Sequence, residues 1–212
     1  MSVQTITAQP HIVLLGGSLR AGSKSNVVVA WCATQCRARG AATTLFTGAE
    51  LEFPFYRSGA VPAEEVRAFL TAMAAADGVV LASPTYHGTV SGLLKNALDY
   101  VNELRDPVRP YLDGRPIGCV AVSLGAQGGG TTLATLRTIG HALRGWPTPL
   151  GVALNDGSAE DLLDDRAQVQ LSTMLDQVWT LAMANARRRT RAASVERAAP
   201  ADRPAPATAG TG

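Results

Sequence analysis

The sequence predicts an open, doubly wound α/β fold: five parallel strands in the order 2-1-3-4-5, in three α/β/α layers. Three observations lead there. Short apolar runs recur five times along the chain. Each run is followed by a segment with apolar residues at helical spacing. The runs are continuously apolar rather than alternating, which marks parallel strands covered on both faces. Five such units suit an open sheet better than a barrel of eight.

The elements follow in order. "HIVLLGG" is the first strand, short and β-branched. Residues 25–39 form a helix with Val29, Cys32, Ala33 and Cys36 on one face, stopped by Gly40. "ATTLF" (42–46) is the second strand, and "LEFPFYRSGAVP" after it is a loop rich in proline and aromatics. A helix over 64–76 turns Val66, Phe69, Leu70 and Met73 inward. "GVVLAS" (78–83) is the third strand. Thr89 or Ser91 caps a helix running to about Leu104, with Leu94, Ala97, Leu98 and Val101 inward. "RPIGCVAVS" (115–123) is the fourth strand, followed by the glycine-rich "LGAQGGG" and a helix over 131–143. "PLGVAL" (149–154) is the fifth strand, and a last helix spans 161–186. Residues 187–212, rich in arginine, alanine and proline, read as a disordered tail beyond a domain at 10–186.

Composition narrows the function. Of the 212 residues, 46% are hydrophobic and 17% charged, enough apolar material for a core. A net charge of +2 gives no reason to expect nucleic-acid binding. No run has the length of a membrane span, and the N-terminus lacks the pattern of a signal peptide. The odd trio Cys32, Cys36 and Cys119 matches no disulfide framework, which implies reduced thiols and a cytoplasmic protein. Cys32 and Cys36 lack the further ligands a metal site needs. No acidic residue precedes Glu50.

That last fact bears on "GGSLRAGSKSN" (16–26). In an open α/β sheet, ligands bind beyond the carboxyl ends of the strands. Three unusual loops lie there: 16–26, 83–92 and 123–131. In the first, a helix N-terminus offers unpaired N–H groups and the positive end of its dipole, Ser18, Ser23, Ser25 and Asn26 add short polar groups, and Arg20 adds a charged fork. This suits a phosphate; the same composition also suits an ordinary turn that caps a helix. Neither a Walker A loop nor a G-x-G-x-x-G turn is present. The second loop, with Pro84, Thr85, Tyr86, His87 and Gly88, could run along the edge of a flat heterocycle. The third, with Ser123, Gly125 and Gly128, has little bulk and allows close backbone approach. A phosphate cradle beside a slot for a flat ring describes a mononucleotide such as FMN.

Two stretches carry a more specific likeness. "GSLRAGSKSN", followed about sixty residues on by "SPTYHGTVSGLLKNALDY", resembles the NADPH-dependent FMN reductase family, over residues 10–155. Gly17, Ser18, Leu19, Arg20, Ser25 and Asn26 match the first family motif with an insertion, so the choice between Ser23 and Ser25 stays open. Pro84, Tyr86, His87, Gly88, Thr89, Gly92, Leu94, Lys95, Asn96, Ala97, Leu98 and Asp99 match the second. The resemblance implies a flavodoxin-like fold, FMN phosphate at Ser18, Arg20, Ser25 and Asn26, and the flavin ring along residues 84–88. It further implies NADPH (or NADH) as reductant and a homodimer or homotetramer with the third helix near the interface. It also implies a small-molecule acceptor: free flavin passed to a flavin-dependent monooxygenase, a quinone, an azo compound or a specialised metabolite.

No catalytic side chain of its own is required, since a flavin carries the chemistry. No nucleic-acid or membrane partner is expected. Arg57, Arg105, Arg109 and Arg144 are candidates for the 2′-phosphate of NADPH. Lys95 and Asp99, four apart, suit a surface pair. A non-enzymatic flavodoxin-type electron carrier is the main rival, but such carriers tend to be acidic and the sequence pI is about 8.6. A phosphoacceptor receiver needs acidic residues after the first strand, where "LGGSLR" has none.

Overall fold

The apolar run His11–Gly16 forms strand β1, an interior strand of a parallel sheet in the computed structural model. The structure describes residues 8–106, 108–155 and 161–198. Helix α1 (Lys24–Ala38) leads to β2 (Ala42–Thr47), and α2 (Glu64–Ala75) to β3 (Gly78–Tyr86). A short strand β4 (Thr89–Val90) precedes α3 (Gly92–Tyr100). Strand β5 (Pro116–Ser123), α4 (Ala126–Ala142), the short strands β6 (Trp146–Pro147) and β7 (Val152–Asn155), and α5 (Asp165–Ala198) complete the order.

The sheet runs β2-β1-β3-β5, with β6 and β7 both parallel to β5 along its far edge. Treated as one interrupted fifth strand, β6 and β7 give the expected 2-1-3-4-5 order. The strand expected over 149–154 is thus confined to 152–155, and the pairing at 146–147 lies before it. Pro147 and Pro149 cannot donate to the ladder, and between them Thr148 N–H keeps one bond to Ile117 O at 2.9 Å.

Strand alternation divides the core. Ile12, Leu14, Val80, Ala82, Val120 and Val122 face α1 and α5. Val13, Leu15, Val79, Leu81, Ile117 and Cys119 face α2, α3 and α4. Strands β1, β3 and β5 thus bury both faces, as their continuously apolar runs require, while the edge strands β2 and β7 are partly exposed. The inward residues expected for α1, α2 and α3 are buried.

Three boundaries depart from expectation. Helix α3 ends at Tyr100 and tightens into a 3-10 turn, Val101–Glu103. Helix α4 begins at Ala126, so three glycines read as loop lie in its first turns. Glycine disfavours a helix by about 1 kcal/mol, but here it permits close packing. A Cβ at Gly129 would meet Ser123 Oγ at 2.8 Å, and one at Gly128 would meet Thr85 Cγ2 at 3.0 Å. Helix α5 runs on through residues 187–198, which the sequence had placed in a tail. Its extension is tied down by Arg189, whose guanidinium meets buried Asp77 at 2.7 Å. The rest of the expected tail, 199–212, lies outside the described residues. Among the described residues no helix is long and apolar enough to cross a membrane.

Candidate functional site

At the carboxyl ends of β1, β3 and β5 the chain opens a cleft of about 540 Å³. One end is polar, lined by Ser18, Arg20, Ser23, Lys24 and Ser25. The other carries Pro84, Thr85, Tyr86, Val122, Ser123 and Leu124. Among the described residues no carboxylate lines it.

The polar end is built by the start of α1. Ser23 is the N-cap, and its Oγ accepts from Asn26 N–H at 3.3 Å. Ser18, Ser23 and Ser25 are all buried. Ser18 Oγ accepts from Arg20 N–H at 3.3 Å, which folds the loop back on itself. The Arg20 side chain is exposed and no described residue pairs with its guanidinium. Asn26 does not line the cleft. Its Nδ2 donates to Ser18 O at 2.9 Å, so it braces the loop from behind. Gly17 lets the loop pass close under α3, since a Cβ there would meet Ser91 Oγ at 2.9 Å.

The second wall differs from the open loop the sequence suggested. Strand β3 continues to Tyr86 and folds back as a hairpin, with Thr85 opposite Val90 and Tyr86 opposite Thr89. His87 (φ 51) and Gly88 (φ 81) form its two-residue tip, both left-handed, as a type I′ hairpin needs. His87 is exposed at that tip and lines no part of the cleft. Ser83 holds the corner: its Oγ accepts from Ser91 N–H at 3.0 Å and donates to Pro84 O at 2.8 Å. Ser91, not Thr89, caps α3.

The third wall is the end of β5. Ser123 Oγ donates to Gly125 O at 2.8 Å. Gly125 and Gly128 lie outside the lining: Gly125 is the exposed N-cap of α4, and Gly128 packs on Thr85. The glycines that the sequence offered for close approach to a ligand thus serve, at Gly128 and Gly129, to pack helix on sheet. Leu124 stands 87% exposed at the mouth, near Tyr86 at 53%.

The structure therefore brings Ser18, Arg20, Ser23, Ser25, Pro84, Thr85, Tyr86 and Ser123 together around one cleft. It places Asn26, His87, Gly88, Gly125 and Gly128 outside the lining. Lys24, Val122 and Leu124 line the cleft and were not expected. Lys24 lies inside the basic loop 16–26, which signals it; Leu124 sits among glycines and carries no polar signal. None of Arg57, Arg105, Arg109 and Arg144 lines it. Arg105 binds Asn102 O beyond the far end of α3, and Tyr56, the neighbour of Arg57, bonds Asn102 and Glu103 there. Arg109 and Arg144 bond Asp113 O and Gly114 N–H beside the start of β5.

The donor set fits FMN: among the described residues there are buried hydroxyls, a helix start and an unpaired guanidinium at one end, an apolar slot at the other, and no competing carboxylate. The fold and this cleft define a flavodoxin-like flavin protein. The description of the NADPH-dependent FMN reductase family matches residues 10–159, and the chain belongs to that family. It is an NAD(P)H-dependent flavin oxidoreductase, with FMN as cofactor and NADPH as reductant.

Among relatives, the chain is 28% identical over 183 residues to an FMN-dependent NADPH-azoreductase of Staphylococcus haemolyticus, covering 78% of this chain and 92% of that one. It is 32% identical over 120 residues to an NADPH azoreductase of Bacillus sp., covering 56% of this chain and 61% of that one. In structure it resembles FerB, a flavoenzyme NAD(P)H:(acceptor) oxidoreductase from Paracoccus denitrificans. The TM-score is 0.65 at 17% identity, over 83% of this chain and 98% of that one.

Proposed function

We propose that the cleft holds FMN with its phosphate at the serine-lined start of α1 and its ring along residues 84–86, and that the acceptor is a flat, conjugated small molecule. The division of one cleft into a polar, cationic end and an apolar end carries this reading. Ser18, Ser23 and Ser25 offer hydroxyl donors, and Arg20 supplies the formal charge that matches a phosphate. Asn26 keeps the carbonyl of Ser18 turned away from the anion. Pro84, Thr85 and Tyr86 give the ring an edge of backbone and side chain, and Leu124 and Tyr86 present apolar surface to whatever stacks above it. Bound FMN would supply the redox chemistry, so no side chain here needs to act as acid, base or nucleophile.

The azoreductase relatives and the exposed apolar mouth favour an azo compound, a quinone or free flavin over a charged protein partner. A flavin-dependent monooxygenase that receives reduced flavin remains compatible with free flavin as acceptor. The chain is further proposed to form a homo-oligomer. Phe55 (88% exposed) and Val61 (90%) support this, since they stand on a loop pinned to α3 by Asn96 and Tyr100. Sedimentation at micromolar concentration should show a dimer or larger; a monomer alone would sink that part.

The main test is calorimetric titration with FMN and riboflavin, with absorbance during turnover. FMN should bind more tightly than riboflavin; equal affinities would overturn the phosphate assignment. Donor and acceptor share one open mouth, so double-reciprocal plots should be parallel, and NADPH alone should bleach the oxidised-flavin band. Intersecting plots without bleaching would mean that flavin passes through as a substrate.

A further inference from the structure

Thr132 lies in the second turn of α4, fully buried and outside the cleft. Its hydroxyl oxygen accepts a hydrogen bond from Thr85 Oγ1 at 2.9 Å. Thr85 does line the cleft, and its hydroxyl also stands 3.4 Å from Gly128 O. Around that contact there is no slack, because even a Cβ at Gly128 would press on the Thr85 methyl group at 3.0 Å.

The two pieces joined here have little stability of their own. Residues 84–86 leave the main sheet at Pro84 and thereafter pair only with the two-residue strand β4. A hairpin so short is marginal alone. The opening turns of α4 contain Gly128, Gly129 and Gly130, each a weak helix former. Outward bonds on both pieces are few, so the Thr85–Thr132 bond sets where 84–86 stands relative to α4. The β3–β5 ladder fixes the two apolar borders of the cleft at their start, where Pro84 pairs with Val122; beyond it α4 follows directly from the 122–124 edge, and the Thr85–Thr132 bond sets how far residues 85 and 86 stand from that edge.

We infer that Thr132 is a positioning residue for the flavin ring, acting through Thr85 to hold the slot at ring width. This rests on the FMN reading above. It separates by geometry from the phosphate end, which Asn26 and Ser23 brace independently. A fault at Thr132 should therefore be felt by any ligand that carries the ring, whether or not it carries a phosphate.

The experiment is a titration of the full-length protein and its variants with FMN and with riboflavin, followed by flavin fluorescence. Thr132→Val keeps the shape and removes the hydroxyl. It should weaken both ligands by the same factor, about three- to tenfold, as expected for one lost net hydrogen bond. Thr132→Ser restores the hydroxyl and should restore both affinities. Thr132→Ala removes the same hydroxyl without adding bulk, and supplies the answer should Thr132→Val not fold. Unchanged affinities in a folded variant, or a loss confined to FMN, would overturn the inference. A purely structural Thr132 would lower the melting temperature and leave both affinities alone. Failure of the wild-type protein to bind either flavin would instead refute the FMN reading itself, and this inference with it.

Discussion

Both ends of the sheet are furnished with buried polar side chains, and the two ends use them in opposite ways. At the end where the strands begin, Arg115 is 2% exposed and donates to the carbonyls of Ala74, Ala76 and Tyr111. Asp77 is fully buried; it accepts from His11 N–H at 2.9 Å and from the Arg189 guanidinium at 2.7 Å. Asn185 bonds Asp77 O and Gly114 O, each at 3.0 Å. At the end where the strands finish, the serines of the first loop are equally buried but sit around a cavity, beside a guanidinium that pairs with no described residue. The two ends of β5 are about 23 Å apart, at about 3.3 Å per residue. A polar group whose bonds are all met within the chain holds the chain together; one whose bonds point into a cleft is available to a ligand.

Substitutions at the two ends should separate stability from flavin binding. The largest effect is expected from Arg115→Met, which leaves the buried carbonyl of Ala76 and the part-buried carbonyls of Ala74 and Tyr111 without their donor. Destabilisation of about 3 kcal/mol is expected in urea titration, with FMN affinity of the folded fraction unchanged. A large affinity loss would mean that the two ends are coupled.

Arg20→Ala should do the reverse. It should weaken FMN by about 1.5 to 3 kcal/mol, the range for a charge-assisted bond, leave riboflavin unaffected, and leave the melting temperature where it was. Arg189→Ala comes next, with an expected cost of about 1 to 2 kcal/mol in stability, because Asp77 keeps only its bond from His11 among its carboxylate contacts. If the protein instead becomes more stable, the clamp between α5 and β3 is not what orders residues 187–198.

A smaller effect is expected from pH. Burial pushes the Cys36 thiol up to about 11 and the Cys119 thiol up to about 12. A thiol whose folded pKa is raised contributes stability that is whole below its unfolded value near 9 and is lost as pH rises through the folded value. Stability should therefore fall from about pH 9 upward, and Cys36→Ala should flatten part of that fall. An identical alkaline profile in the variant would rule the thiol out as its cause. The smallest effect is at the hairpin tip. His87→Asn places a residue that tolerates positive φ before Gly88 and should raise stability by about half a kcal/mol, with no change in FMN affinity. A clear loss of affinity would return His87 to the cleft.

Much of this was legible in the sequence because it rests on local chemistry. Continuous apolar runs such as that at His11–Gly16 can only be buried on both faces, so they announce a parallel sheet. Crossover geometry then places the loops after the first, third and fourth strands at one end, and Ser18, Arg20, Ser23, Ser25, Pro84, Thr85, Tyr86 and Ser123 meet there. What tertiary structure alone decided is which of the remaining polar and glycine residues face the cleft. Asn26 points back into its own loop because Ser18 O needs a donor. Gly128 and Gly129 are helical because α4 must approach Ser123 and Thr85 more closely than a Cβ would allow. Residues 187–198 are helical because a buried carboxylate more than a hundred residues earlier requires a cation. Each of these outcomes depends on a partner distant in sequence. Spacing along the chain says nothing of such partners until the sheet has brought them together.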